Sequence, residues 1–154
     1  MIINLIGFVL LLILSGFFSG SETAFMSANR VRIRELANEG DKKAKRVDQL
    51  LEDQTELLTT ILIGNNLVNI AASAIATSIA IEIFGSKGVG IATGVVTFVI
   101  LVFGEITPKS LGNSNPIEYA KLAAIVLYWL EKILYPVLLF ITVLIKKMIG
   151  ENKM

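Results

Sequence analysis

Three long runs of uncharged, mostly apolar residues restrict what this chain can fold into. They extend over Met1–Ser21, Leu57–Ile81 and Gly88–Gly104. A helix needs about 20 such residues to cross the core of a bilayer. Within lipid, a helix also satisfies its own backbone hydrogen bonds. We therefore predict an all-α integral membrane domain with three transmembrane helices, at about residues 1–28, 57–81 and 88–111.

A polar segment, Arg30–Glu56, separates the first two runs. It carries half of the chain's 14 Lys and Arg residues, interspersed with acids. Because cytosolic loops of membrane proteins are enriched in Lys and Arg, we predict that this segment is cytosolic and that the N-terminus lies outside. Gly40 followed by Asp41 is typical of a helix stop and a new N-cap. We expect a short hairpin of two cytosolic helices at 30–56.

The last apolar segment, residues 117–149, differs from the first three. Glu118, Lys121, Glu131 and Lys132 interrupt it, and its longest uncharged piece is too short to cross comfortably. Pro136 should bend it. We predict a bent juxtamembrane helix on the inner leaflet, with the C-terminus cytosolic; a fourth spanning helix is the alternative.

Several function classes are unsupported by the composition. The chain has no Cys and no His, which removes thiol chemistry, the usual zinc sites and His-based acid–base catalysis. Its net charge of +1 gives no excess of basic residues that would favour nucleic-acid binding. We expect neither an enzyme nor a nucleic-acid-binding protein, and the lipid bilayer is the first partner.

Polar residues within the predicted membrane helices fall on stripes. Ser15 and Ser19 share one face of the first helix. Asn65, Asn69 and Ser73 recur every four residues on the second, with Asn66 beside them. Interhelical packing through hydrogen bonds is one explanation. The number of amides favours a polar cavity instead.

The third helix ends in a carboxylate and a proline. Glu105 follows a membrane-length apolar run, where a charge needs a partner. In an α-helix, Pro108 would leave the carbonyl of Gly104 without its backbone donor. Carboxylate and carbonyl oxygens are hard donors that suit Mg²⁺, Ca²⁺ or Na⁺. A simple proline kink, with Glu105 paired to Lys109, is the alternative.

Three motifs together resemble one family, the CorC/cyclin M (CNNM) transporters. They are Ser15-Gly-Phe-Phe-Ser-Gly-Ser-Glu-Thr-Ala24, Leu62-Ile-Gly-Asn-Asn-Leu-Val-Asn69 and Val102-Phe-Gly-Glu-Ile-Thr-Pro-Lys109. The resemblance implies a homodimeric transmembrane domain in the plasma membrane that exports Mg²⁺, with Na⁺ as the coupling ion. The family's cytosolic nucleotide-binding modules are not in residues 1–154, so we expect ATP to act only through those absent modules.

The resemblance also implies an ion site at the polar ends of the three helices. The residues that carry over are Ser19, Ser21, Asn65, Asn66, Asn69, Ser73, Gly104 and Glu105. Which subset touches the metal stays open, because Mg²⁺ takes six oxygens and both faces of a helix cannot point inward. A membrane anchor or a Mg²⁺-sensing regulatory domain, neither transporting by itself, remains the alternative function.

Overall fold

The computed structural model describes residues 1–150, and every secondary-structure element in that range is helical. This confirms the all-α prediction; the last four residues of the predicted domain lie outside the described range. The helices are α1 (Ile2–Ser27), α2 (Arg30–Asn38), α3 (Lys42–Glu52), α4 (Gln54–Phe84), α5 (Gly88–Val99), α6 (Thr107–Ser114), α7 (Pro116–Ile133) and α8 (Tyr135–Ile149). A 3₁₀ turn (Gly85–Lys87) joins α4 to α5, and a π-helical segment (Ile100–Ile106) joins α5 to α6.

Two helical stretches are long and apolar enough to cross a membrane, namely Ile2–Ser27 and the 61 residues Gln54–Ser114. The longer stretch folds back on itself. Gly85 has a φ of +71°, a conformation that favours glycine, and a Cβ on Gly88 would collide with the carbonyl of Ala80. Since α4 and α5 thus pack side by side and antiparallel, we interpret this stretch as two crossings.

The polar segment between α1 and α4 forms two short helices that pack on each other. The side chain of Asn29 caps the start of α2, and that of Asp41 caps the start of α3. Between them, Gly40 adopts a φ of +101°. The apolar side chains of both helices, such as Ile33 and Val47, are fully buried. The helical hairpin therefore follows from its caps and its apolar stripe.

The C-terminal helices α7 and α8 meet at a 68° bend just before Pro136. α7 buries a stripe of small and apolar side chains against α1 and α3, including Ala120, Ala124 and Leu127. α8 is mostly exposed, with Leu138 buried. The predicted bend is confirmed. The pair is apolar enough to count as a broken span, so the choice between a surface helix and a fourth crossing stays open.

Glycines, which lack a Cβ, allow neighbouring helices to approach each other closely. A Cβ on Gly64 of α4 would collide with the ring of Phe18 on α1, and a Cβ on Gly20 of α1 would collide with Tyr119 on α7. Outside these contacts, large apolar side chains face outward along α1 and α5, as Ile3 and Phe98 do. Such surfaces are suited to lipid or to another helix and not to water.

Candidate cation site

Polar side chains from three helices meet where α1, α4 and the π-helical segment come together. Ser15 lies on α1, Asn65 and Asn69 lie one turn apart on α4, and Glu105 lies in the π-helical segment. Counted from the start of α1, Ser15 is about 20 Å along the helix at 1.5 Å per residue. The cluster therefore lies near the middle of α1, a helix long enough to cross a core about 30 Å thick.

Hydrogen bonds link the members of this cluster in a chain. The hydroxyl of Ser15, which is fully buried, donates to Oδ1 of Asn69 at 2.6 Å and lies 3.5 Å from Oδ1 of Asn65. The Nδ2 groups of Asn65 and Asn69 donate to Oε1 of Glu105 at 3.3 and 3.5 Å. Because a carboxylate only accepts hydrogen bonds, it orients both amides with their NH₂ groups towards it.

The second oxygen of Glu105 faces a positive charge. Nζ of Lys109, one turn further along the same helix, lies 3.5 Å from Oε2. The side chain of Glu105 is 23% exposed and that of Lys109 is 46% exposed. The ion pair proposed for the simple proline kink therefore exists. It coexists with the amide contacts, so the kink and the polar cluster are parts of one site.

The helix around Glu105 departs from the α-helical geometry on which the sequence prediction relied. Within Ile100–Ile106 the bonds follow an i→i−5 pattern, ending with the N–H of Thr107 on the carbonyl of Val102. The π-helix thus changes the bonding register just before Pro108, which has no N–H to donate in either register. A freed carbonyl at Gly104 stays a prediction.

Gly104 allows α1 to approach the π-helical segment closely. It is buried, and a Cβ at this position would lie 3.0 Å from Oγ of Ser15. One residue along α1, a Cβ on Gly16 would lie 3.1 Å from the ring of Pro108. The absence of these Cβ atoms lets the π-helical segment approach α1 closely. That approach brings Glu105 within reach of the amides on α4.

An open cavity of about 540 Å³ adjoins the carboxylate. Asn69, Glu105 and Lys109 contribute to its wall, and Ser73 and Thr97 lie further along it. Among residues 1–150, no group of three Asp, Glu, His or Cys side chains is placed to hold a metal. A cation bound here would therefore have one carboxylate, with hydroxyl, amide and water oxygens as its other ligands.

The predicted site residues are distributed unevenly around this cluster. Asn65, Asn69, Gly104 and Glu105 are brought together, and Ser73 is exposed on the cavity wall. Asn66 is exposed and makes no side-chain hydrogen bond within the described residues. The structure thus assembles most of the amide stripe and leaves Asn66 outside it.

The two predicted serines of α1 differ from each other. The hydroxyl of Ser21 donates to the carbonyl of Phe17 at 2.6 Å, so it is bonded to its own helix. Ser19 is fully buried, and its hydroxyl has no hydrogen-bond partner among residues 1–150. Ser15, which the predicted set omitted, makes the shortest contact of the cluster. Its i, i+4 spacing from Ser19 was the signal that could have included it.

These features define the class of protein: an α-helical integral membrane domain with a carboxylate-containing polar site between its helices. The family described as "Cyclin M transmembrane N-terminal domain" matches residues 6–153. The chain belongs to this family. The resemblance drawn from the three motifs is therefore confirmed.

Curated relatives agree with this assignment. The chain is 45% identical over 140 residues to a "UPF0053 protein" of Haemophilus influenzae, covering 91% of this chain and 33% of the relative. It is 43% identical over 140 residues to the "UPF0053 inner membrane protein YfjD" of Escherichia coli, with coverages of 89% and 33%. It is also 46% identical over 127 residues to a chloroplastic DUF21 domain-containing protein of Arabidopsis thaliana, with coverages of 82% and 19%. The chain thus spans about a third of the bacterial relatives and a fifth of the plant relative.

Proposed function

We propose that this chain is the membrane domain of a Mg²⁺ transporter and that Glu105 supplies the charge of its ion site. The observation that carries the proposal is the convergence of two amides of α4 with the carboxylate of the π-helical segment, beside an open cavity. A carboxylate there needs a partner, and its neighbours are oxygen-bearing side chains. Mg²⁺ prefers such hard oxygen ligands and retains several waters.

The Asn side chains can adopt two orientations in the site. In the structure, their NH₂ groups face Glu105 and their Oδ1 atoms face Ser15. A cation beside Glu105 would require the amides to rotate and present Oδ1. The hydroxyl of Ser15 would then accept from an amide NH₂, since a hydroxyl both donates and accepts. Ser15 can therefore hydrogen-bond to the amides in both orientations.

Ser19 is a further candidate ligand. A buried hydroxyl without a partner is uncommon in proteins, and this one lies one turn from Ser15 on the same face of α1. An incoming cation, or a water bound to it, would satisfy that hydroxyl. Ser73 and Thr97 on the cavity wall would contact the ion through water. Most of these ligands are neutral, which keeps binding weak enough for release.

The charge distribution supports an orientation of the domain in the membrane, and the resemblance to the family supports outward transport of Mg²⁺. The Lys- and Arg-rich α2–α3 segment would lie in the cytosol, with the N-terminus outside, the C-terminus cytosolic and the domain in the plasma membrane. Mg²⁺ would enter from the α6–α7 side and leave outward, with Na⁺ entry as the coupling reaction. We further propose that the outward-facing apolar surface of the domain includes a homodimer contact, and that the function is transport and not catalysis.

The deciding measurement is Mg²⁺-dependent thermal stability of the purified domain, comparing wild type, Glu105→Gln and Glu39→Gln. Glu39 is an exposed residue at the end of α2 and controls for the loss of one charge. We expect saturable stabilisation by Mg²⁺ in wild type and Glu39→Gln, none in Glu105→Gln, and erosion by Na⁺. No response to Mg²⁺ in any variant would refute the proposal and favour a membrane anchor.

A measurement of Mg²⁺ flux distinguishes a transporter from the remaining alternative, a Mg²⁺ sensor. Domains reconstituted in liposomes should release Mg²⁺ in wild type and in Glu39→Gln, and should not do so in Glu105→Gln. A protein that binds Mg²⁺ through Glu105 without any flux would be a sensor that regulates another transporter, and transport by this domain would be excluded.

A further inference from the structure

We propose that Lys109 is a built-in competitor of the transported cation, occupying Glu105 whenever the ion is absent. This inference rests on the proposed function, because it concerns the same carboxylate. Its starting point is that both oxygens of Glu105 already face donors. Oε1 receives the two Asn amides, and Oε2 lies 3.5 Å from Nζ of Lys109.

Charge neutrality is the first argument for this role. A lone carboxylate inside a membrane is expensive, and intramembrane charges generally pair with one another. The Glu105–Lys109 pair carries no net charge when the site is empty. A bound Mg²⁺ beside Glu105 would bring the local charge to +1, and an ammonium group kept in place would raise it to +2. The two cations therefore exclude each other.

The second argument is that Lys109 is able to leave. Its side chain is 46% exposed, twice the exposure of the Glu105 side chain, and it lies on the wall of the open cavity. Lysine has a long flexible stem that lets its ammonium group reach water while the stem stays on an apolar surface. The group can thus move out when a divalent cation arrives and return when that cation leaves.

The third argument is position. Lys109 follows Glu105 by one turn towards α6 and α7, which is the side from which the ion would enter. No other Lys or Arg in residues 1–150 is paired with Glu105. An ordinary surface pair of the i, i+4 type would only support the helix. This pair instead shares its carboxylate with two amides from a different helix, so its loss changes the ion site.

The test compares Mg²⁺ affinity in wild type, Lys109→Met and Lys109→Arg, measured by Mg²⁺ titration of thermal stability. Methionine keeps most of the stem and removes the charge. Measured ion pairs of this kind contribute about 0.2–1 kcal/mol, so Lys109→Met should bind Mg²⁺ roughly 1.4- to 5-fold more tightly. Lys109→Arg should stay near wild type. Lys146→Met, in the last turn of α8, controls for the loss of one positive charge.

The outcomes separate this inference from the proposed function. Tighter binding in Lys109→Met, with Lys146→Met unchanged, supports the competitor. Unchanged or weaker Mg²⁺ binding in Lys109→Met, while wild type binds through Glu105, would overturn the inference and leave the proposed ion site standing. Equal tightening in Lys109→Met and Lys146→Met would also overturn it, because the effect would then be one of overall charge. No Mg²⁺ binding in wild type would end both proposals.

Discussion

Ser15→Ala should lower the stability of the ion-free protein and Ser19→Ala should not, although these residues lie one turn apart on α1. Both side chains are fully buried. The hydroxyl of Ser15 donates to Oδ1 of Asn69 at 2.6 Å. The hydroxyl of Ser19 has no partner among residues 1–150. The two substitutions remove the same atom, so the comparison isolates the hydrogen bond.

The magnitudes follow from what each alanine leaves behind. Ser15→Ala leaves Oδ1 of Asn69 without its hydroxyl donor, and an unsatisfied buried group costs about 1–3 kcal/mol. Interhelical bonds in membrane proteins average about 0.6 kcal/mol and reach about 1.7, so we expect a loss of about 1 kcal/mol. Ser19→Ala removes a buried hydroxyl that has no bond to lose. It should be neutral or slightly stabilising.

The assay is thermal unfolding of the purified domain in detergent with a metal chelator. A loss of about 1 kcal/mol corresponds to a lower Tm by roughly 2–4 °C in a domain of this size. Ser21→Ala is the matched control, since its hydroxyl donates to a carbonyl of its own helix. A Tm loss for Ser19→Ala as large as that for Ser15→Ala would refute the reasoning.

Repeating the measurement with Mg²⁺ extends the comparison to the ion site. If Ser19 contacts the ion or its water, Ser19→Ala should lose part of the Mg²⁺-induced gain in Tm while its chelator Tm stays near wild type. This pattern distinguishes a ligand from a packing residue. The opposite pattern, a reduced chelator Tm with the full Mg²⁺ gain, would assign Ser19 to packing.

One further prediction concerns a part of the fold outside the hydrogen-bonded cluster. Gly64→Ala should lower the free energy of unfolding by about 1–3 kcal/mol, the usual range for overpacking, because its Cβ would collide with the ring of Phe18. In thermal unfolding, adding Phe18→Leu should restore part of the loss, and an additive double variant would contradict this explanation.

Much of the fold could be predicted because its signals are local. Uncharged runs of membrane length predict helices, since lipid leaves the backbone few alternatives. The caps at Asn29 and Asp41, and the bend before Pro136, depend on residues close to them in sequence. The membership of the polar stripe on α4 also follows from helical spacing alone. The family assignment rests on the same short motifs.

The composition of the site could be predicted only in part. Spacing places Ser15 and Ser19 on one face of α1, but it does not say which of them stands level with Asn69. It also cannot reveal the π-helical segment, which shifts the hydrogen-bonding register before Pro108 by one residue. The π-helical segment packs against α1, and no rule applied to one helix at a time would have found that contact.

The sequence by itself determined that this protein is a membrane-embedded helical domain, which residues are polar on each helix, and that Glu105 would need a partner. Only the tertiary structure decided which polar groups meet. Pro108 packs against Gly16, and Phe18 packs against Gly64. These contacts set the relative depth and rotation of the helices. A glycine in a sequence shows that another helix can approach closely at that position, but it does not identify the side chain that will pack there. The site is assembled through those pairings, so its geometry belongs to the packed helices and not to any one of them.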